Sequence, residues 1–294
     1  MSVPLPASFR SRTVDADGVK IHTVVGGDGP PVLLLHGYPQ THLIWHEVAP
    51  ALATEHTVVL TDLRGYGDSG KPHPVTDDVY AKRAMATDQL AVMRTLGFDR
   101  FAVVGHDRGG RVGHRLALDA PEAVRALAVL DIVPTRHIYA HADKEFGLGY
   151  YHWFFLAAPN GIPERLLGAE PEFWIRTRMS ARHAGGRPPD EAAVREYVRC
   201  FADPAAIAAS CADYRAAAGI DLVHDEADAA AGRRVRCPLL ALWGRSSFVG
   251  RTYDVLDVWR QYADQVSGHP VASDHYVPEE APAEVLAALR PFLR

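Results

Sequence analysis

The chain has 294 residues, which at roughly 100–200 residues per domain allows one large domain or two modest ones. Hydrophobic residues make up 48% and charged residues 23%, enough apolar material for a core that needs neither disulfides nor a structural metal. A net charge of −5 excludes a chain-wide basic field for nucleic acid, although local basic groups can still hold a small anion.

The first 135 residues read as strands alternating with helices. Val14 to Val25 carries an Asp17-Gly18 turn between two extended runs, the signature of a hairpin. Pro31 to Leu35, Thr57 to Thr61, Phe101 to Val104 and Leu127 to Leu130 are short apolar runs without alternation. Such runs suit parallel strands buried on both faces. Helical stretches at Val79 to Leu96 and Gly109 to Leu118 lie between them, giving the α/β pattern of a doubly wound sheet. After Pro134 the rhythm changes. Arg136 to Arg236 has no strong strand but many helical stretches, aromatics and breakers, and reads as a helical insertion. Pro238 to Trp243 restores the buried-strand signature, followed by a helix over Val255 to Tyr262, a short strand around Val271 and a closing helix from about Ala281 to Leu293. Cys200, Cys211 and Cys237 have no C-x-x-C spacing, and the odd count argues for a reducing compartment. Met1 to Arg12 has no apolar signal region, and no apolar run reaches the ~18 residues of a membrane span. A soluble, cytoplasmic protein without membrane or nucleic-acid partners is expected.

The strongest chemical signal is Gly105-His106-Asp107-Arg108-Gly109, which follows a buried strand and opens a helix. This is a nucleophile elbow with Asp107 in the place where many hydrolases carry serine. A glycine-rich turn with Asp107 as a plain helix cap is the alternative reading. Asp131 follows the next strand, and His275 lies in the loop after the last one. The order nucleophile, acid, base is the hydrolase order for this fold class.

The chain resembles the α/β-hydrolase superfamily and, within it, the fluoroacetate dehalogenases. Superfamily marks are His36-Gly37-Tyr38-Pro39 and the run from Asp62 through Arg64-Gly65-Tyr66-Gly67-Asp68-Ser69. The narrower family's marks are the run Gly105 to Arg111, Leu130-Asp131 through Thr135, Tyr151-His152-Trp153-Phe154-Phe155, Asp213-Tyr214-Arg215, and Asp274-His275 through Glu280. The resemblance implies a hydrolase core over residues 1–135 and 237–294 with a helical cap over 136–236. It implies hydrolytic dehalogenation of fluoroacetate and related 2-haloacetates, with no cofactor or metal, in a homodimer. Asp107 would displace halide from an sp³ carbon and form an ester. His275, oriented by Asp131, would then activate water to cleave that ester. The oxyanion would be held by the backbone N–H groups of Tyr38 and Arg108. The loop after Trp243 lacks a carboxylate until Asp254, so Asp131 takes the acid role by elimination.

Arg108 and Arg111 sit three residues apart at a helix start, where the macrodipole disfavours cations. They read either as surface arginines neutralised by a nearby acid or as a clamp for a substrate carboxylate; the resemblance supports the clamp. It also places the halide site at positions matching His152, Trp153 and Tyr214. The rest of the stripe Tyr150, Tyr151, Phe154 and Phe155 is expected to be cap core. Gly65 to Gly70 matches G-x-G-x-x-G, but Lys71-Pro72-His73-Pro74 cannot open the helix a dinucleotide site requires. His137 and His141 have metal-like i, i+4 spacing without a supporting acid, and read as a surface pair. An epoxide hydrolase of the same fold is the alternative enzyme, with Tyr139, Tyr150, Tyr151, Tyr197 and Tyr214 as candidate proton donors in the cap. A ligand receptor on the same fold is the alternative outside catalysis, and the intact Asp107, Asp131, His275 set argues against it. The stretch from Ser180 to Gly185 matches no pocket feature.

Overall fold

The computed structural model describes residues 5–180 and 187–294; of the unmatched stretch from Ser180, residues 181–185 lie outside them. Eight strands form one sheet: β1 (Arg10–Ala16), β2 (Val19–Gly26), β3 (Pro31–Leu35), β4 (Thr57–Thr61), β5 (Phe101–His106), β6 (Val124–Leu130), β7 (Leu239–Gly244) and β8 (Val266–Val271). Their spatial order is β1-β2-β4-β3-β5-β6-β7-β8. The β1–β2 and β2–β4 pairs are antiparallel and the others parallel. The expected hairpin is present: Asp17 and Gly18 both have positive φ (49° and 92°), as a tight two-residue turn requires.

The apolar runs are buried on both faces because successive side chains enter two separate cores. Leu33, Val59, Val103, Leu127 and Ala241 join one; Leu34, Leu60, Val104, Ala128 and Leu242 join the other. Helices α1 (Val48–Leu52), α2 (Lys82–Thr95) and α3 (Arg108–Asp119) precede β6. Between β6 and β7 the chain is helical: α4 (Thr135–Ala140), α5 (Lys144–Gly149), α6 (His152–Ala157), α7 (Ile162–Ala169), α8 (Pro171–Ser180), α9 (Glu191–Phe201), α10 (Pro204–Ala218) and α11 (Ile220–Ala230). Then come α12 (Phe248–Thr252), α13 (Val255–Trp259), α14 (Val277–Glu280) and α15 (Pro282–Phe292). No helix among the described residues is long and apolar enough to cross a membrane.

One expectation is refined and one is corrected. The final short strand, expected around Val271, is present and ends at that residue, and its sequence Val-Ser-Gly-His-Pro-Val has no continuous apolar run. As an edge strand pairing only with β7, it does not need the apolar run that a central strand needs. Tyr151 and Phe154, read as cap core, are 44% and 47% exposed. Helix α6 instead turns His152, Trp153 and Leu156 inward.

The loops after β3 and β4 are tied to each other beside the elbow. His36 Nε2 accepts the Leu63 N–H at 3.0 Å. Asp62 accepts the N–H groups of His42 (2.8 Å) and Asp68 (2.9 Å), so His36 and Asp62 act here as scaffold. No helix follows Gly65–Gly70 until α2 begins at Lys82, which removes the dinucleotide reading. His137 and His141 stack on each other with ring centroids 4.2 Å apart. The one three-ligand group of metal-binding type among the described residues lies elsewhere, at His22, His42 and Asp62.

Candidate active site

The elbow is where the backbone is most constrained. A Cβ on Gly105 would meet Gly109 O at 2.5 Å, and one on Gly109 would meet His36 O at 2.4 Å. The turn between β5 and α3 therefore has room for glycine alone at both positions. Asp107 itself has φ 44° and ψ −113°, a conformation that costs a non-glycine residue roughly 1–3 kcal/mol and marks functional turns.

Asp107 is buried, and its Oδ2 accepts the Tyr38 N–H at 3.1 Å. Burial pushes its pKa up, but positive charge at His275, His106, Arg111 and Arg108 outweighs burial and holds it below the usual carboxylate value. The group is thus ionised and nucleophilic at neutral pH. Of the two expected oxyanion donors, the Tyr38 amide touches the carboxylate; among the described residues the Arg108 amide makes no hydrogen bond to it.

His275 Nδ1 donates to Asp131 Oδ2 at 2.7 Å, and Asp131 Oδ1 accepts the Gly244 N–H at 3.0 Å. The acid after β6 is therefore received at the end of β7. The loop bearing His275 is held from both sides by Glu280, which accepts the N–H groups of Asp274 (2.6 Å) and Tyr276 (2.9 Å). His106 Nε2 donates to the His275 carbonyl at 2.7 Å. Neither Glu280 nor His106 had an assigned role in the sequence reading, although both lie inside its motifs.

The two arginines are buried and are not equivalent. Arg108 spends its fork on Asp213: Nε to Oδ2 at 2.9 Å, Nη2 to Oδ1 at 2.5 Å and to the backbone carbonyl at 2.9 Å. Asp213 also accepts from Lys82 and from the Tyr66 hydroxyl (2.6 Å). Arg108 keeps one buried nitrogen, Nη1, without a partner among the described residues. Arg111 Nη1 donates only to neutral oxygens, Val133 O at 2.9 Å and Thr135 Oγ1 at 3.1 Å, and its Nε has no partner. This corrects the surface reading: neither arginine is exposed, Arg108 is paired with Asp213, and Arg111 has no carboxylate within ion-pair distance among the described residues. Asp213 was visible in the sequence only as the neighbour of Tyr214; nothing in the pattern around Lys82 signals its part.

Two of the three halide candidates pack on these cations, and the third, His152, packs on Tyr214. The Arg111 guanidinium lies 4.7 Å from the Trp153 ring centre, and that of Arg108 lies 4.3 Å from the Tyr214 ring centre. Tyr214 meets His152 and Trp153 edge-on at 5.8 and 5.9 Å. Its buried hydroxyl has no partner among the described residues, and burial keeps it protonated. Of the other cap tyrosines, Tyr197 donates to Glu279 at 2.7 Å and Tyr151 is exposed. Tyr38 accepts the Trp174 indole N–H at 2.5 Å, a cap-to-core contact the sequence did not suggest. Asp107, Arg108, Arg111, His152, Trp153, Tyr214 and His275 all expose 6% or less of their surface.

Residues 30–282 match the α/β-hydrolase fold family. The chain belongs to that family. It is 44% identical over 97% of its length to a fluoroacetate dehalogenase of Burkholderia sp, covering 94% of that protein. It is 34% identical to a soluble epoxide hydrolase of Corynebacterium sp. (strain C12), covering 92% of both chains. A solved α/β hydrolase of Nostoc sp PCC 7120 superposes with a TM-score of 0.95 at 51% identity, over 97% of this chain and 98% of the other. This hydrolase is thus related to both dehalogenases and epoxide hydrolases.

Burial raises the Glu279 pKa to about 8, against the hydrogen bonds from Tyr197 and Gln40. The folded state holds a proton here that the unfolded chain has released above about pH 5. Stability is therefore expected to fall as pH rises from about 5 to 8, by about 1.4 kcal/mol per pH unit for this group. Urea unfolding of the Glu279→Gln variant should show that slope flattened; an unchanged slope would mean Glu279 is ionised in the fold.

Proposed function

We propose that this hydrolase removes halide from 2-haloacetate anions, fluoroacetate among them, through an ester on Asp107. The observation that carries the reading is Arg111: a buried guanidinium beside the nucleophile with no carboxylate partner. A buried charge is disfavoured until it is paired, and a substrate carboxylate supplies the pair. The free Nη1 of Arg108 supplies a second donor. A neutral epoxide or haloalkane would leave Arg111 with only the through-space field of Asp107 and no hydrogen-bonded anion.

In the first step an Asp107 carboxylate oxygen attacks the halogen-bearing carbon. The C–X bond breaks and the halide leaves with the electron pair. His152, Trp153 and Tyr214 are the donors assigned to it. In the second step His275 takes a proton from water, and the hydroxide adds to the ester carbonyl of Asp107. The Tyr38 N–H holds the oxyanion, as it holds Oδ2 in the resting site. Collapse expels glycolate, whose alkoxide takes the proton back from His275; the carboxylic acid left on Asp107 then releases its own proton to solvent and is a carboxylate again. A serine would leave an ether at the first step, which water does not readily cleave.

Halide release measured in parallel on fluoroacetate, chloroacetate, a neutral haloalkane and an epoxide tests the assignment. Turnover confined to the two haloacetates is expected. Faster turnover of the epoxide would sink it.

A selective effect is expected within that set. Fluoride is a small ion and a strong hydrogen-bond acceptor, so its departure depends more on converging donors than chloride's does. Tyr214→Phe and Trp153→Phe should lose about tenfold more activity on fluoroacetate than on chloroacetate, the worth of one good hydrogen bond. Equal losses in folded variants would leave these residues with a packing role only.

A further inference from the structure

Arg178 is a third buried guanidinium at the site, and no role has been assigned to it. It lies on cap helix α8 with 7% of its surface exposed. No carboxylate is within ion-pair distance of it among the described residues, and residues 181–186 contain none. Its backbone carbonyl accepts the Tyr276 hydroxyl at 3.2 Å, beside the catalytic histidine. Its guanidinium lies 5.8 and 5.9 Å from the ring centres of Tyr151 and Trp174. Its one polar side-chain contact among the described residues is from Nη2 to Nδ1 of His152, at 3.2 Å.

That contact has only one chemical sense. A guanidinium carries five N–H donors, no acceptor, and does not lose its charge in proteins. The nitrogen that faces it must offer a lone pair. A neutral imidazole has one N–H and one lone pair, and which nitrogen carries which is set by the partner of either. With the lone pair at Nδ1, the proton sits on Nε2. A hydroxyl or amide in Arg178's place could donate or accept and would leave both tautomers open.

We propose that Arg178 is a positioning residue: it fixes His152 as the Nε2–H tautomer, so that His152 meets a departing halide with an N–H and not with a lone pair. The halide half of this rests on the haloacetate reading above; the pairing of Arg178 with His152 does not. The other tautomer would turn a donor into an acceptor facing an anion. The residue acts through His152 and touches no reacting atom. His152 begins α6 and Arg178 lies near the end of α8, so the tautomer is set only when the two cap helices are packed together.

The test is long-range ¹H–¹⁵N correlation on protein labelled with ¹⁵N-histidine, which distinguishes the two tautomers, with His152 assigned from a His152→Gln variant. The wild type and Arg178→Lys, which keeps a donor-only cation, should show the Nε2–H form. Arg178→Leu should show a mixture or the Nδ1–H form. Its turnover of fluoroacetate should fall about tenfold more than that of chloroacetate, with recovery in Arg178→Lys. An unchanged tautomer in Arg178→Leu would overturn the pairing. A changed tautomer with an unchanged fluoride-to-chloride ratio would overturn the link to the halide. Should Arg178→Leu fail to fold, a folded Arg178→Lys that loses the Nε2–H form overturns the proposal by itself. A wild type inert on every haloacetate brings down the functional reading and the halide half with it, while the spectra still decide the pairing.

Discussion

His275→Asn is expected to arrest the hydrolase as a stoichiometric ester on Asp107. The carboxylate does not need the histidine as a base: the Arg111 and Arg108 guanidiniums, which remain in the variant, still favour its ionised form, so displacement of halide proceeds. Asparagine cannot take a proton from water, so the ester persists. Loss of a general base lowers turnover by roughly 10²–10⁴-fold, and the ester should accumulate in the first seconds. Intact mass after incubation with chloroacetate should rise by one carboxymethyl group, and peptide mapping should place it on Asp107. A single turnover of wild type in H₂¹⁸O makes the same point without mutation: the label should enter Asp107, and the first glycolate should carry an unlabelled oxygen from the enzyme. Label appearing in the first product would mean direct attack of water on carbon, and no ester.

The parts of this site that the sequence displayed are those set by local chain geometry. Asp107 was legible because the turn on which it sits admits only glycine at Gly105 and Gly109, and that demand is written in five consecutive residues. Asp131 and His275 were legible because each follows a strand, at a fixed place in the topology. The parts that were not legible are made by contacts between distant segments. Lys82, Asp213 and Tyr66 come from α2, α10 and the loop after β4, and meet at Arg108 only in the folded chain. Periodicity carries no information about such meetings. The same holds for Arg178, one of many arginines in a helical segment until α8 packs against α6. The extent of β8 was not legible for a different reason: an edge strand does not need the apolar run by which central strands are recognised.

Arg111→Leu and Arg108→Leu are expected to fail in different ways, although the sequence presents the two as a matched pair. Arg111 donates only to Val133 O and Thr135 Oγ1, and burial already lowers its pKa. Removing it relieves a desolvated cation, so thermal stability should hold or rise. A substrate carboxylate would lose its charged partner, which at about 2–5 kcal/mol amounts to roughly 10²–10³-fold or more in kcat/KM on haloacetates. Arg108 instead shares Asp213 with Lys82. Breaking a buried pair costs about 3–5 kcal/mol, less here to the extent that Lys82 still compensates Asp213. Arg108→Leu should therefore lose stability as well as activity, with Tm lowered by about 2–4 °C per kcal/mol. Adding Asp213→Asn should recover Tm without recovering turnover, which separates the part of Arg108 that holds the cap from the part that meets substrate. If Arg111→Leu keeps a near-normal kcat/KM on haloacetates, no substrate carboxylate sits against that guanidinium. The anionic-substrate assignment then falls, and the epoxide hydrolase reading, with Tyr139, Tyr150 and Tyr214 as its remaining proton donors, takes its place.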